Sequence, residues 1–196
     1  MPRFPPHHIE ASWLGEMQAS KLLNYAVSKE YQFRLPKVGN HKMYRSDALI
    51  RRSRVLTDLG PFTECLRDSA LAMQSKLEAK FGMDQVKTAN MQLELSAHCD
   101  GDFYEEHIDT FTGAQHSVGE MRRLSLVYYI HSRPQRFEGG RLRLFDLTGT
   151  ETIALAPHHD VLVAFPSFAR HDVERVVCPN SRFADARFAV NIWLCA

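Results

Sequence analysis

His107 and Asp109 stand two residues apart near the middle of the chain, and both carry side chains able to bind a metal ion. In an extended strand, side chains at i and i+2 point to the same face, so an imidazole nitrogen and a carboxylate oxygen could converge there on one ion. A set of two histidines and one carboxylate with open coordination positions suits non-haem Fe(II), an ion that activates oxygen. The second histidine must come from far along the chain, and His171 is the candidate, with a structural histidine as the alternative.

The His-x-Asp spacing occurs twice more, at His98/Asp100 and His158/Asp160. His98 and Asp100 run into Gly101-Asp102, a turn-forming composition, so they read as solvated loop residues. Pro157 to Asp160 reads as a surface turn feeding the apolar run Val161 to Phe165.

The elements that must position these groups follow from periodicity. Of 196 residues, 44% are hydrophobic and 24% charged, which suits one substantial core and a single domain over residues 1–196. Twenty-four Lys+Arg against twenty-three Asp+Glu leave a net charge of +1, so no bulk field draws the chain to nucleic acid or membrane. No apolar run reaches membrane-spanning length. Cys65, Cys99, Cys178 and Cys195 form no C-x-x-C pair and follow no secretory signal, which favours reduced thiols and a cytoplasmic location.

From the N-terminus, His7 and His8 read as exposed tail. Apolar residues from Trp13 to Val27 recur at helical spacing and predict a helix over residues 11–30. Tyr31 to Val38 could be a strand. Four arginines between Tyr44 and Leu56 read as a solvated face or, alternatively, as lining for an anionic substrate. A second helix is predicted over 61–81, with Pro61 in its first turn and Gly82 past its end. After Gly82 the pattern alternates, predicting strands over 91–95, 124–130, 141–145, 152–155, 161–165, 171–177 and 187–194. Glu138-Gly139-Gly140 reads as a hairpin or bulge. The fold class expected is mainly β with N-terminal helices: a helical support over 1–90 and a β core over 91–196, sandwich or barrel.

The ordered set His107-x-Asp109, Arg122 to Ile130, Phe137-Glu138-Gly139-Gly140-Arg141-Leu142, Val161 to Ser167, His171-Asp172-Val173 and Arg187 to Trp193 resembles the Fe(II)- and 2-oxoglutarate-dependent dioxygenases of the prolyl-4-hydroxylase-like group. The likeness covers residues 91 to 195. It implies a double-stranded β-helix, or jelly roll, with iron held by His107, Asp109 and His171. It also implies 2-oxoglutarate and O2 as co-substrates, with ascorbate a candidate reductant.

In this group a basic residue on the strand after the last histidine pairs with the distal carboxylate of 2-oxoglutarate, and arginine's planar fork suits a carboxylate. Arg187 fits by strand phase, sharing a face with Ala189, Asn191 and Trp193. Arg182 is the rival, eleven residues past His171 where Arg187 is sixteen. Tyr129 resembles a tyrosine that contacts the co-substrate, or is plain core, and Asn191 stands beside it as a further cofactor contact. Tyr104 is placed at the site entrance. The loop Thr110 to Arg122, with Gly113, His116 and Gly119, is a candidate lid.

The reaction implied is hydroxylation of an unactivated C–H bond in a small molecule, an amino acid or natural-product intermediate, with release of succinate and CO2. A prolyl residue of a protein is the alternative substrate. Two other classes stay open: a Zn(II) hydrolase on the same ligands, marked by oxygen-independent turnover, and a jelly-roll binding module that binds an anion without forming succinate.

Overall fold

The computed structural model describes residues 3–36, 47–110 and 120–196. Along the chain run β1 (His8–Ala11), α1 (Glu16–Ser28), β2 (Arg51–Arg52), β3 (Arg54–Leu56), α2 (Thr63–Phe81), β4 (Asn90–His98), β5 (Phe103–His107), β6 (Arg122–Ile130), β7 (Glu138–Gly139), β8 (Leu142–Phe145), β9 (Thr152–Leu155), β10 (Val161–Pro166), β11 (His171–Val173), β12 (Val176–Val177) and β13 (Arg187–Cys195). Six strands form one sheet in the order β1-β10-β6-β13-β4-β3, five form a second in the order β2-β5-β11-β8-β9, and β7 pairs with β12. Neighbouring strands run antiparallel.

Alternation along β13 explains why this sheet has two unlike faces. Phe188, Val190, Ile192 and Leu194 pack into one core with Leu22 of α1 and Leu66 and Leu77 of α2. Arg187, Asn191 and Trp193 face the opposite way, into a cavity between the sheets. β6 repeats the pattern, with Leu124, Leu126, Tyr128 and Ile130 toward the helices and Val127 and Tyr129 toward the second sheet. There Val127, Tyr129, Phe165 and Ala189 meet Leu142 and Leu144 of β8. Each fully buried leucine contributes about 1.5–3 kcal/mol. The result is the expected jelly roll with helices on one outer face.

α2 begins on Gly60–Phe62, a single 3-10 turn carrying Pro61, and ends at Gly82. Gly82 adopts φ 66°, the left-handed conformation, and its N–H caps the last turn. α1 is shorter than the pattern predicts, because Ala11 belongs to β1 and Gly15, at φ 82°, breaks the helical backbone.

Other expectations are corrected. The N-terminus is not a free tail: His8 opens β1, which pairs along β10. The N-terminal ninety residues therefore contribute β1, β2 and β3 to the sheets, besides two helices. Tyr31 to Val38 is no strand as far as it is described; Glu30–Gln32 is a 3-10 turn and Arg34 makes one isolated bridge to Val55. Val38 itself lies outside the described residues.

The turn at Asp160 is buried rather than superficial, with the residue 4% exposed. Its carboxylate accepts the Tyr128 hydroxyl at 2.8 Å and the Leu14 N–H at 3.1 Å, and its carbonyl accepts the Trp13 N–H at 3.2 Å. The ring of Trp13 then packs edge-on against Tyr128. The third His-x-Asp pair thus fastens the segment before α1 onto β6. Asp160→Ala should leave buried donors unpaired and cost about 1–3 kcal/mol, lowering Tm by roughly 2–4 °C per kcal/mol. Calorimetry would read this, and metal titration should show unchanged affinity.

Candidate active site

β5 and β11 lie side by side with His107 opposite His171. β5 stops at His107, so the strand does not continue through Asp109 as its spacing suggests. Asp109 is placed instead by its own N–H, which donates to the Ser167 carbonyl at 2.9 Å in the turn after β10. The three side chains nonetheless converge, their donor atoms all lying within 4.8 Å of one another. The His107 Nε2 is 3.8 Å from Asp109 Oδ1, and the His171 Nε2 is 3.6 Å from Asp109 Oδ2.

Local hydrogen bonds set the chemistry of each donor. Nδ1 of His107 donates to the Glu105 carbonyl at 2.8 Å, and Nδ1 of His171 donates to the Ala169 carbonyl at 2.9 Å. Each bond fixes the tautomer that leaves the Nε2 lone pair free toward Asp109, the arrangement a metal-binding imidazole needs. Burial, reinforced by His171, pushes His107 down to about 3, so the ring is neutral near pH 7. Burial acts to raise Asp109, but the Arg122 guanidinium and the Ser125 hydroxyl help hold the carboxyl below its usual range. Ser125 donates to Asp109 Oδ2 at 2.7 Å and shares a 2.9 Å hydrogen bond with Ser167. Tyr104 stacks on His107 with ring centroids 3.6 Å apart, closer to the donors than an entrance position implies.

The three donor side chains line a cavity whose wall also includes Arg187 and His98. Arg187 is 2% exposed, held by a 2.7 Å bond from its Nε to the Gly140 carbonyl and lying 4.8 Å from the Tyr129 ring centroid. Gly140, at φ 64°, is where the Gly-Gly signal acts: a Cβ there would sit 2.8 Å from Arg187 Cδ. The signal is not a hairpin, since Glu138–Gly139 pairs with the distant β12.

His98 is not the solvated loop residue its neighbours suggest. It is the last residue of β4, 2% exposed and paired with Arg187 across the sheet. Burial, then Arg187 and Arg51, hold its pKa well below the ordinary value, so the ring is neutral. Its Nδ1 accepts from Arg187 Nη1 at 3.4 Å, which leaves a proton on Nε2. The buried His98 Nε2, Arg187 Nη2 and Tyr129 hydroxyl all lack hydrogen-bond partners. Burial raises the Tyr129 pKa against the opposing pull of the Arg187 guanidinium beside it, so the hydroxyl keeps a proton to donate, as do the other two groups. Three buried donors without an acceptor cost free energy unless an anion completes them, and a carboxylate fits that need.

Asn191 lines the cavity and donates to Ser96 Oγ at 3.3 Å. Arg182 does not reach it: its side chain is 66% exposed and ion-paired with Asp185 at 2.8 Å. Arg51, from the arginine-rich run, does line the cavity. Gly113, His116 and Gly119 lie outside the described residues; the loop's flanks are tied by Thr110 Oγ1 donating to the Arg122 carbonyl at 3.0 Å.

Arg187→Met should weaken 2-oxoglutarate binding to Mn(II)-loaded protein about 100-fold or more, the cost of losing a buried charge partner, while Arg182→Ala leaves it unchanged. Gly140→Ala should move the Arg187 fork and weaken the same binding. Isothermal titration reads all three.

Residues 93–195 match the 2OG-Fe(II) oxygenase superfamily. An uncharacterized PKHD-type hydroxylase of Synechocystis is 26% identical over 192 residues, which cover 93% of this chain and 61% of that protein, so the chain spans about three-fifths of that relative's length. Among solved structures, a Pseudomonas putida prolyl-4-hydroxylase superposes with TM-score 0.71 at 16% identity, covering 97% of this chain and 92% of that one. A Trichoplax adhaerens prolyl hydroxylase, solved with a hypoxia-inducible-factor peptide, gives TM-score 0.70 at 19% identity over 96% and 83%. At such identity the superpositions show the fold. Fe(II), 2-oxoglutarate and O2 are the cofactor and co-substrates of the matched superfamily, and the donor set described above suits both groups. On the match over 93–195, this chain belongs to the 2OG-Fe(II) oxygenase superfamily.

Proposed function

We propose that this protein hydroxylates an unactivated C–H bond of a small molecule, an amino acid or natural-product intermediate. The observation that carries the reading is one cavity lined both by the His/Asp/His cluster and by Arg187 and His98, whose buried Nη2 and Nε2 lack an acceptor. When bound, Fe(II) and 2-oxoglutarate supply the oxidation: one O2 and one 2-oxoglutarate give succinate, CO2 and the hydroxylated product.

The chain's own residues do the positioning. His107, Asp109 and His171 would hold the metal through Nε2, a carboxylate oxygen and Nε2. Arg187, Tyr129 and His98 would receive the distal carboxylate of 2-oxoglutarate, with Asn191 close by on the same face. Ser125 and Ser167 fix the orientation of Asp109. Val127 and Leu142 on the cavity wall limit the water that reaches the reacting bond. The four cysteines are free thiols, which supports a cytoplasmic location, and no described helix is long and apolar enough to cross a membrane.

A second reading is prolyl hydroxylation of a protein, favoured by the fold shared with the Trichoplax enzyme that was solved with a peptide. Incubating the Fe(II) protein with 2-oxoglutarate, O2 and candidate substrates separates the two. The proposal expects succinate release stimulated by a small molecule that gains one oxygen by mass spectrometry; stimulation only by proline-containing peptides would select the second reading.

His107→Ala, Asp109→Ala and His171→Ala should each reduce succinate formation to background with the fold retained by circular dichroism. A variant keeping native Fe(II) affinity would remove that residue from the ligand set. Ser125→Ala should weaken metal binding about 10–100-fold, since it only orients Asp109.

A further inference from the structure

Interior-facing residues of β4 and β13 form rungs: His98 with Arg187, Ser96 with Ala189, Glu94 with Asn191, Gln92 with Trp193. Two rungs from Arg187, at Glu94, a second guanidinium enters the same cavity. Arg51 Nη2 pairs with Glu94 Oε1 at 2.7 Å, and its Nε donates to Ser53 Oγ at 3.0 Å. Its guanidinium carbon lies 4.9 Å from the centroid of the Tyr104 ring, which stacks in turn on His107. Arg51 is 9% exposed and lines the cavity together with His107, Asp109 and His171.

We propose that Arg51 is the substrate-recognition residue and that the substrate is a small carboxylic acid, its carboxylate bound by the Arg51 fork. This rests on the small-molecule reading above. A guanidinium has five N–H donors, and the bonds to Ser53 and Glu94 use two. A buried arginine and glutamate held only for stability would gain little over apolar residues, because desolvation offsets their attraction. On the cavity wall Arg51, held by Glu94 and Ser53 and lying over the Tyr104 ring, presents its remaining N–H donors, and a planar carboxylate complements a guanidinium bidentately. One 2-oxoglutarate has one distal carboxylate, and the donors without acceptors assign it to Arg187. Arg51 is left for a different anion. It stands one stacked phenol ring away from His107, which places the oxidised carbon a few bonds from the substrate carboxylate. Glu94 beside it would accept an ammonium, so an amino acid satisfies both partners.

The test uses the full chain loaded with Mn(II) and 2-oxoglutarate without O2, so that binding is read independently of turnover. The probes are the free L-amino acids and short straight-chain monocarboxylic acids, each paired with its primary amide. The expected result is that one or more acids bind, by thermal shift and calorimetry, at least about 100-fold tighter than their amides. Arg51→Gln should abolish that preference. Because this change leaves Glu94 without its partner, the double variant Arg51→Gln/Glu94→Gln, which keeps a neutral hydrogen bond, should also lose it while retaining the wild-type circular dichroism spectrum. Amides binding as well as acids, or an acid preference surviving in the double variant, would overturn the proposal. So would the absence of binding by any acid. If 2-oxoglutarate itself fails to bind the metal-loaded wild type, the dioxygenase reading falls first, and this inference falls with it.

Discussion

A cation buried without an anion is the constraint around which this structure is arranged. Arg187 sits between two sheets at 2% exposure, and the groups nearest its fork are a neutral histidine, a tyrosine and a glycine carbonyl. Burial lowers its pKa, yet a guanidinium stays protonated in any protein environment. The fold therefore keeps a positive charge and three buried donors without acceptors. Such an arrangement is costly in the free protein and becomes favourable when an anion enters. On the proposed reading, one carboxylate of a dicarboxylate would meet this fork while its other end reached the His/Asp/His cluster that lines the same cavity.

Regular strands, more than loops, hold this geometry. Arg187 and His98 are fixed by the β4–β13 ladder, and His107 and His171 by the β5–β11 pair. Gly140 lets the arginine pass where a side chain would block it. Arg51 lies 4.9 Å from the Tyr104 ring centroid, Tyr104 stacks on His107 at 3.6 Å, and the tilted His107 and His171 rings are 4.1 Å apart, so each group restricts the next. Outside the cavity, an exposed ion pair such as Arg141 with Glu174 adds little stability.

Much of this was legible from residue order. Alternation in β6 and β13 separates helix-facing from cavity-facing residues without any coordinates, and strand phase favours Arg187 over Arg182 because phase survives an insertion between them. Local composition failed where distant partners decide. Gly101 makes His98 look like loop, but pairing with a strand 89 residues later buries it. The same is true of Asp160, whose spacing to His158 matches a metal motif while the Tyr128 hydroxyl and two main-chain amides satisfy it. Four residues at His8–Ala11 carry too little pattern to announce an edge strand, and β10 supplies the pairing that makes one.

The central claim is that one cavity binds a metal at His107, Asp109 and His171 and a carboxylate at Arg187. A crystal structure of the protein with Mn(II) and 2-oxoglutarate tests it most directly. The account predicts the metal on those three side chains, with the distal carboxylate accepting from Arg187 Nη2, the Tyr129 hydroxyl and His98 Nε2. A metal bound elsewhere, or 2-oxoglutarate seated with the Arg187 fork still lacking an acceptor, would contradict it.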